Sequence, residues 1–206
     1  MPPVIVDPDK VHEFVDFDGF YAWLAEHHDS ADELWIKIHK KASGRPTITP
    51  VGAIDAALCW GWIDAIRKSF DAHSFLQRYT RRGKKSIWSR VNVDNVERLI
   101  AAGLMTEHGL KHVEAARADG RWDRAYGTTA EDMPLPEPFL EAIAADPAAQ
   151  ATFDTLTAQN RFALAFRLHN LKTEAGRKKR MAAFVEMLSR GETIYPQKTR
   201  SPQEPS

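Results

Sequence analysis

The chain has 206 residues, 43% of them hydrophobic, with 28 Lys and Arg against 28 Asp and Glu. That content buries a core in one good-sized domain or two small ones and excludes wholesale disorder. No segment approaches the roughly 18 uncharged apolar residues of a membrane span, and the opening "MPPVIVDPDK" lacks the apolar run of a signal peptide, so a soluble, cytoplasmic protein is expected. The zero net charge hides a segregation, because residues 1–60 carry five basic against ten acidic groups and residues 67–90 carry eight against one.

Taken in chain order, "VIV" at 4–6 is a candidate strand, and "DFDGFYAWLAEHH" predicts a helix over about 17–28, with Phe17, Phe20 and Leu24 at helical spacing. "ELWIKIHKK" alternates as a half-buried strand does: Leu34, Ile36 and Ile38 face one way, Trp35, Lys37 and His39 the other. Thr49 as N-cap with Pro50 behind it starts a helix bearing Val51, Ile54 and Leu58, which Gly61 ends. "WIDAIRKSF" and "SFLQRYT" flank the polar "DAH", predicting an antiparallel hairpin of about 62–70 and 74–80. With Phe70 opposite Ser74, a regular register puts Trp62, Asp64, Ile66, Lys68, Leu76, Arg78 and Thr80 on one face and Asp64 diagonal to Arg78. A slip of one residue would send every side chain to the other face.

From about residue 86 the pattern is helical. Val96, Leu99, Ile100 and Leu104 form one stripe, and Thr106 caps a short helix with Leu110 and Val113. "GTTAEDMPLPEP" reads as a linker, and four further helices follow. The expected organisation is an α+β domain over 1–126, a linker over 127–138, a helical domain over 139–195 and a disordered tail over 196–206. The fold class is α+β, with a small N-terminal antiparallel sheet flanked by helices and a C-terminal helical bundle.

The chemistry-bearing residues form no recognised catalytic set. Cys59 excludes an internal disulfide and a cysteine-rich zinc site. It sits in the last turn of its helix, one turn after Asp55, where helix dipole and carboxylate both disfavour a thiolate. His27 and His28 are adjacent, and His108 and His112 lack an HExxH context, so no metal is expected. No dinucleotide or phosphate-loop frame appears, since "RRGKKS" has one glycine only, and no cofactor is expected. Phe75, Tyr79 and Trp88 interleave with cations, which suits an anion or nucleic-acid contact through Arg81, Arg82, Lys84 and Lys85.

Several blocks resemble the YdeI/OmpD-associated family of bacteriocin-protection proteins: "DELWIKIHKK", "AIDAALCWGWIDAIRKSFD", "SFLQRYTRR", "SIWSRVNVDNVERLIAAGLM", "GRWDRAY" and "RFALAFRLHNLKTEAGRKKRMAAFVEMLSRGE". The resemblance runs from about 17 to 195. It implies an N-terminal part similar to the YjbR/CyaY-like group, a helical C-terminal region, and a link to an outer-membrane porin and to bacteriocin tolerance. It brings no catalytic residues with it. The expected function is a non-catalytic binding or stress-protection protein whose partner, an unknown protein or a small anionic ligand, docks near Lys40, Trp62, Asp64, Arg78 and Trp88. The alternatives are nucleic-acid association through the basic 67–90 segment, and an enzyme with Asp64 as acid/base and Arg78 and Lys40 holding an anionic substrate.

Overall fold

A computed structural model describes residues 4–127 and 132–197. Two compact units divide the chain, the first running to Ala125 and the second starting at Tyr126. The class is α+β: the strands belong to the first unit, and the second is helical. The reading of 127–138 as a linker falls partly outside the described residues, at 128–131, and the expected tail does so from 198 onward.

In the first unit Asp16 caps α1 (Phe17–His27) by accepting the Gly19 N–H at 3.0 Å. In β2 (Glu33–His39) the alternation sets the two faces as expected, but the strand is not half-buried, since Trp35 and His39 of the other face are buried as well. Leu34, Ile36 and Ile38 are buried with Phe20 and Leu24 of α1 and Ala53, Ala56 and Ala57 of α2 (Pro50–Cys59). Thr49 caps α2 by accepting the Gly52 N–H at 3.0 Å, and Gly61, at φ +72°, carries the chain out of it in a left-handed conformation. β3 (Trp62–Ser69) and β4 (Ser74–Arg81) form the expected hairpin. Residues 4–6 are not a strand; instead β1 (Val11–His12) pairs in parallel with β2, giving the sheet order β1-β2-β4-β3.

The hairpin register is regular only in part. Near the turn Ser69 faces Phe75 and Lys68 faces Leu76, and the Phe70 N–H reaches the Ser74 carbonyl at 3.3 Å, as the sequence suggests. Between Arg67 and Asp64 the register shifts, so that Asp64 lies opposite Tyr79 and Ala65 and Ile66 together oppose Arg78. This is a β-bulge on an edge strand, which twists the edge away from pairing with another chain. The Gln77 amide fills it: Nε2 lies 3.2 Å from the Ala65 carbonyl, 3.4 Å from that of Ile66 and 3.3 Å from that of Arg78, while Oε1 accepts from Arg67 Nε at 2.9 Å.

The far side of α2 builds a second core with α3 (Arg90–Ala101) and α4 (Glu107–Ala118), joining Leu58, Cys59, Trp88, Val93, Val96, Leu99, Val113 and Trp122. The helix expected from 86 begins after Ser89, whose hydroxyl accepts the Asn92 N–H and acts as the cap. Of the predicted stripe, Val96 and Leu99 are buried, with Val93 joining them, while Ile100 and Leu104 are exposed, Leu104 lying past the end of α3. Thr106 starts α4 as expected and also donates its hydroxyl to the Cys59 carbonyl at 2.6 Å.

α5 (Glu137–Ala144), α6 (Pro147–Asp154), α7 (Ala158–His169) and α8 (Glu174–Ser189) are the four expected helices of the second unit. They enclose Phe139, Ile143, Phe153, Leu164, Leu168, Phe184 and Leu188. The expected tail from 196 starts too early. Buried Asn160 accepts the Tyr195 N–H at 2.9 Å and donates to Gln197 Oε1 at 2.8 Å, which anchors the chain through residue 197.

α4 approaches α2 most closely at Gly109. A Cβ there would lie 2.7 Å from the Leu58 carbonyl oxygen and closer still to that of Cys59. Alanine gains about 1 kcal/mol of helix propensity over glycine, but two backbone carbonyls cannot swing aside. Gly109→Ala is therefore expected to lower stability by about 2 kcal/mol or more in urea unfolding, against the propensity trend. Unchanged or raised stability would remove the close approach of α2 and α4.

Candidate functional site

The five predicted ligand contacts do not converge. Trp62 is 1% exposed and lies in the core under α1, its indole N–H donating to the His28 carbonyl at 3.1 Å. Asp64 shares that helix-covered face with Tyr79, whereas Arg78 points to the opposite face and is paired with Glu33, its Nε 2.6 Å from Oε2. The expected diagonal Asp64–Arg78 pair is not made, because the bulge shifts Asp64 by one position relative to β4. The enzyme constellation of Asp64, Arg78 and Lys40 is thus divided by the sheet. Trp88 is buried in the second core, edge-on to Trp122 at 4.9 Å and covered by the Arg82 guanidinium at 3.5 Å. Lys40 holds the hairpin turn: its backbone N–H donates to the His73 carbonyl at 2.7 Å, and its ammonium donates to the Ala72 carbonyl at 3.0 Å.

The basic island is similarly partitioned. Arg81 is paired with Asp32, Arg82 is buried and donates to the Ile87 carbonyl at 2.7 Å, and only Lys84 and Lys85 of the four predicted anion contacts stand exposed without an ion pair among the described residues. Tyr79 and Trp88 are buried, so neither offers a ring for bases to stack on.

Burial also decides the nucleophile question. The Cys59 thiol is inaccessible, and desolvation together with the Asp55 carboxylate pushes it up to about 12. Asp55 itself accepts both bonds from Arg98, at 2.7 and 2.8 Å. His28 and His108 come within 4.0 Å ring to ring, a proximity their sequence positions do not suggest. No group of three His, Cys, Asp or Glu side chains able to hold a metal occurs among the described residues.

What the sheet does assemble lies on its second face, away from α1 and α2. Two hollows sit there side by side. The first, of about 330 Å³, is mainly apolar and is lined by Val6, Pro8, Val11, Phe70, Leu76 and the Lys68 stem. Its roof is the N-terminal segment, which Lys68 ties down by donating to the Val4 carbonyl at 2.6 Å. The second, of about 270 Å³, is polar and is lined by Lys37, His39, Ser43, Arg45, Asp71 and His73. Phe70 marks the boundary, lining the first hollow while the Lys37 ammonium of the second sits 5.2 Å from its ring.

Glu13 pairs with two residues of the polar hollow. Its two oxygens take Lys37 Nζ at 3.0 Å and His39 Nε2 at 3.0 Å, and these bonds, that to His39 foremost, hold its carboxyl below the usual glutamate value. A carboxylate only accepts, so Nε2 of His39 carries the hydrogen. Sequence reasoning missed this group, although the alternation of β2 already put Lys37 and His39 on one face, and the "DAH" turn already held Asp71 and His73. The partners from 13 and 45 carry no such signal, because the topology alone brings them in.

Comparison with known proteins divides the chain in the same order. Residues 12–112 match a domain of unknown function, DUF8412, and residues 132–191 match the family described as "Bacteriocin-protection, YdeI or OmpD-Associated". The helical C-terminal segment is therefore similar to the YdeI/OmpD-associated proteins. No curated protein and no solved structure matches the chain. Among the described residues no helix is long and apolar enough to cross a membrane.

Asp64 carries a pH signature. Burial raises its carboxyl above the ordinary 3.8, an effect its own backbone N–H, Arg67 and Arg82 only partly offset. A raised folded-state value means that the carboxyl contributes most to stability while protonated, below about 3.8, and that this contribution is lost as pH rises through the folded value. Asp64→Asn is expected to raise the melting temperature at pH 7, with the difference shrinking toward pH 3. A lower melting temperature for the variant at pH 7 would show that the charge is needed in the folded chain.

Proposed function

We propose that the chain is a non-catalytic binding protein of the bacteriocin-protection kind, acting in the cytoplasm, whose N-terminal unit holds a small ligand on the second face of its sheet. The observation that carries this reading is the pair of adjoining hollows, one apolar and one polar, with cations at the rims of both. The similarity of residues 132–191 to the bacteriocin-protection family supports the physiological setting. The inaccessible Cys59 and the separation of Asp64 from Arg78 favour binding over turnover. A four-stranded sheet backed by two helices is consistent with a kinship of the N-terminal unit to the YjbR/CyaY-like group.

Val6 lines the apolar hollow from a segment without helix or strand, so a larger side chain there fills the hollow at little cost to the core. In cells lacking the native gene, a Val6→Trp chain is expected to give less bacteriocin protection than the parent while melting within a few degrees of it. Full protection by a folded Val6→Trp variant would move the ligand elsewhere.

A further inference from the structure

The polar hollow has a property that the proposed binding role does not require. Its lining carries both signs of charge, and Arg45 and Asp71 do not pair across it. Arg45 and Asp71 line the same space, yet they form no ion pair with each other, and Arg45 has no carboxylate partner among the described residues. The backbone that carries each is held locally. Arg45 follows a turn closed by Gly44 at φ +66°, and its N–H donates to Ser43 Oγ at 3.3 Å, which leaves the Ser43 hydroxyl hydrogen to be donated in turn. Asp71 is oriented by the His73 N–H, 2.7 Å from its Oδ1, and the turn that carries both is held by Lys40 from two directions. Glu13 already balances Lys37 and His39, so neither sign dominates the hollow.

Opposite charges that line one space without pairing suit a molecule that carries both. A simple anion would be opposed by Asp71, and a simple cation by Arg45. We propose that this hollow is a binding site for a small zwitterion of the α-amino acid class, with the ligand carboxylate on Arg45 and Ser43 and its ammonium on Asp71. The volume of about 270 Å³ lies just under the roughly 300 Å³ at which drug-sized pockets begin, which suits a single amino acid. Its side chain would extend past Phe70 toward the apolar hollow, so apolar amino acids are favoured over charged ones. Lys40 acts here as a positioning residue, because it touches the turn and not the ligand.

The inference rests on the second sheet face being the ligand surface, and one experiment separates the two. Backbone amide spectra of the full chain are recorded with each standard L-amino acid, and with acetate and methylamine as half-ligands. The expected result is saturable shifts at Ser43–Arg45 and Asp71–His73 with apolar amino acids, and at least tenfold weaker binding of acetate or methylamine. Arg45→Gln and Asp71→Asn, both at exposed positions, should each weaken amino acid binding by about tenfold, which is about 1.4 kcal/mol. Arg45→Gln should leave the melting temperature unchanged, and Asp71→Asn should lower it modestly, because Ser74 and His73 bond the ionised carboxylate. Acetate binding as tightly as an amino acid would overturn the zwitterion and leave an anion site. Shifts confined to Val6, Val11 and Leu76 would overturn it while keeping the binding face, and no shifts on that face would overturn both.

Discussion

The two residues of β3 that share one partner on β4 set what each face of the sheet can do. In a regular hairpin every second residue from Trp62 to Lys68 would lie on one face. The bulge at Ala65 and Ile66 breaks that parity, so Trp62 and Asp64 go under the helices while Lys68 stays with Leu76 and Arg78 on the other side. The Gln77 side chain makes the break tolerable, since it supplies the hydrogen bonds that the misaligned carbonyls of Ala65 and Ile66 would otherwise lack. Leaving such groups unpaired costs about 1–3 kcal/mol each when buried. The apolar and polar hollows both depend on this division, because it keeps Lys68 and Phe70 facing the N-terminal segment.

α2 plays the matching part for the cores. It is short and rich in alanine, which lets β3 and β4 approach on one side and α3 and α4 on the other, with Ala53, Ala56 and Ala57 in the first cluster and Leu58 and Cys59 in the second. The "ALCWGWID" run that looks reactive in the sequence is the point where these cores meet. Trp60 lies half-buried against Tyr21 and His28, and Trp62 lies wholly inside.

Much of the fold was legible because it rests on local signals. The caps at Thr49 and Thr106, the alternation of β2, the polar hairpin turn and the four C-terminal helices all act over a few residues, and all are where the sequence puts them. The parallel pairing of Val11–His12 was not legible, because a two-residue strand has no period to detect. The candidate site was largely hidden for a related reason. A bulge leaves no mark in a pattern of alternating residues, and Glu13, Arg45 and Asp71 come together only through the packing of separate segments around the sheet. Aromatic residues misled in the other direction, since Trp62 and Trp88 stood out as contacts but are spent on the cores.

The proposed binding role rests on the face that remains after the cores are built, and so on the register of one hairpin. The most direct test is the set of cross-strand nuclear Overhauser contacts between β3 and β4 in solution. The account predicts contacts of Lys68 with Leu76 and of Arg67 with Gln77, followed by a shift that places Asp64 opposite Tyr79 and Ile63 opposite Thr80. An unbroken register, with Asp64 opposite Thr80 on the face of Arg78, would contradict it and return Asp64 to the side of the two hollows.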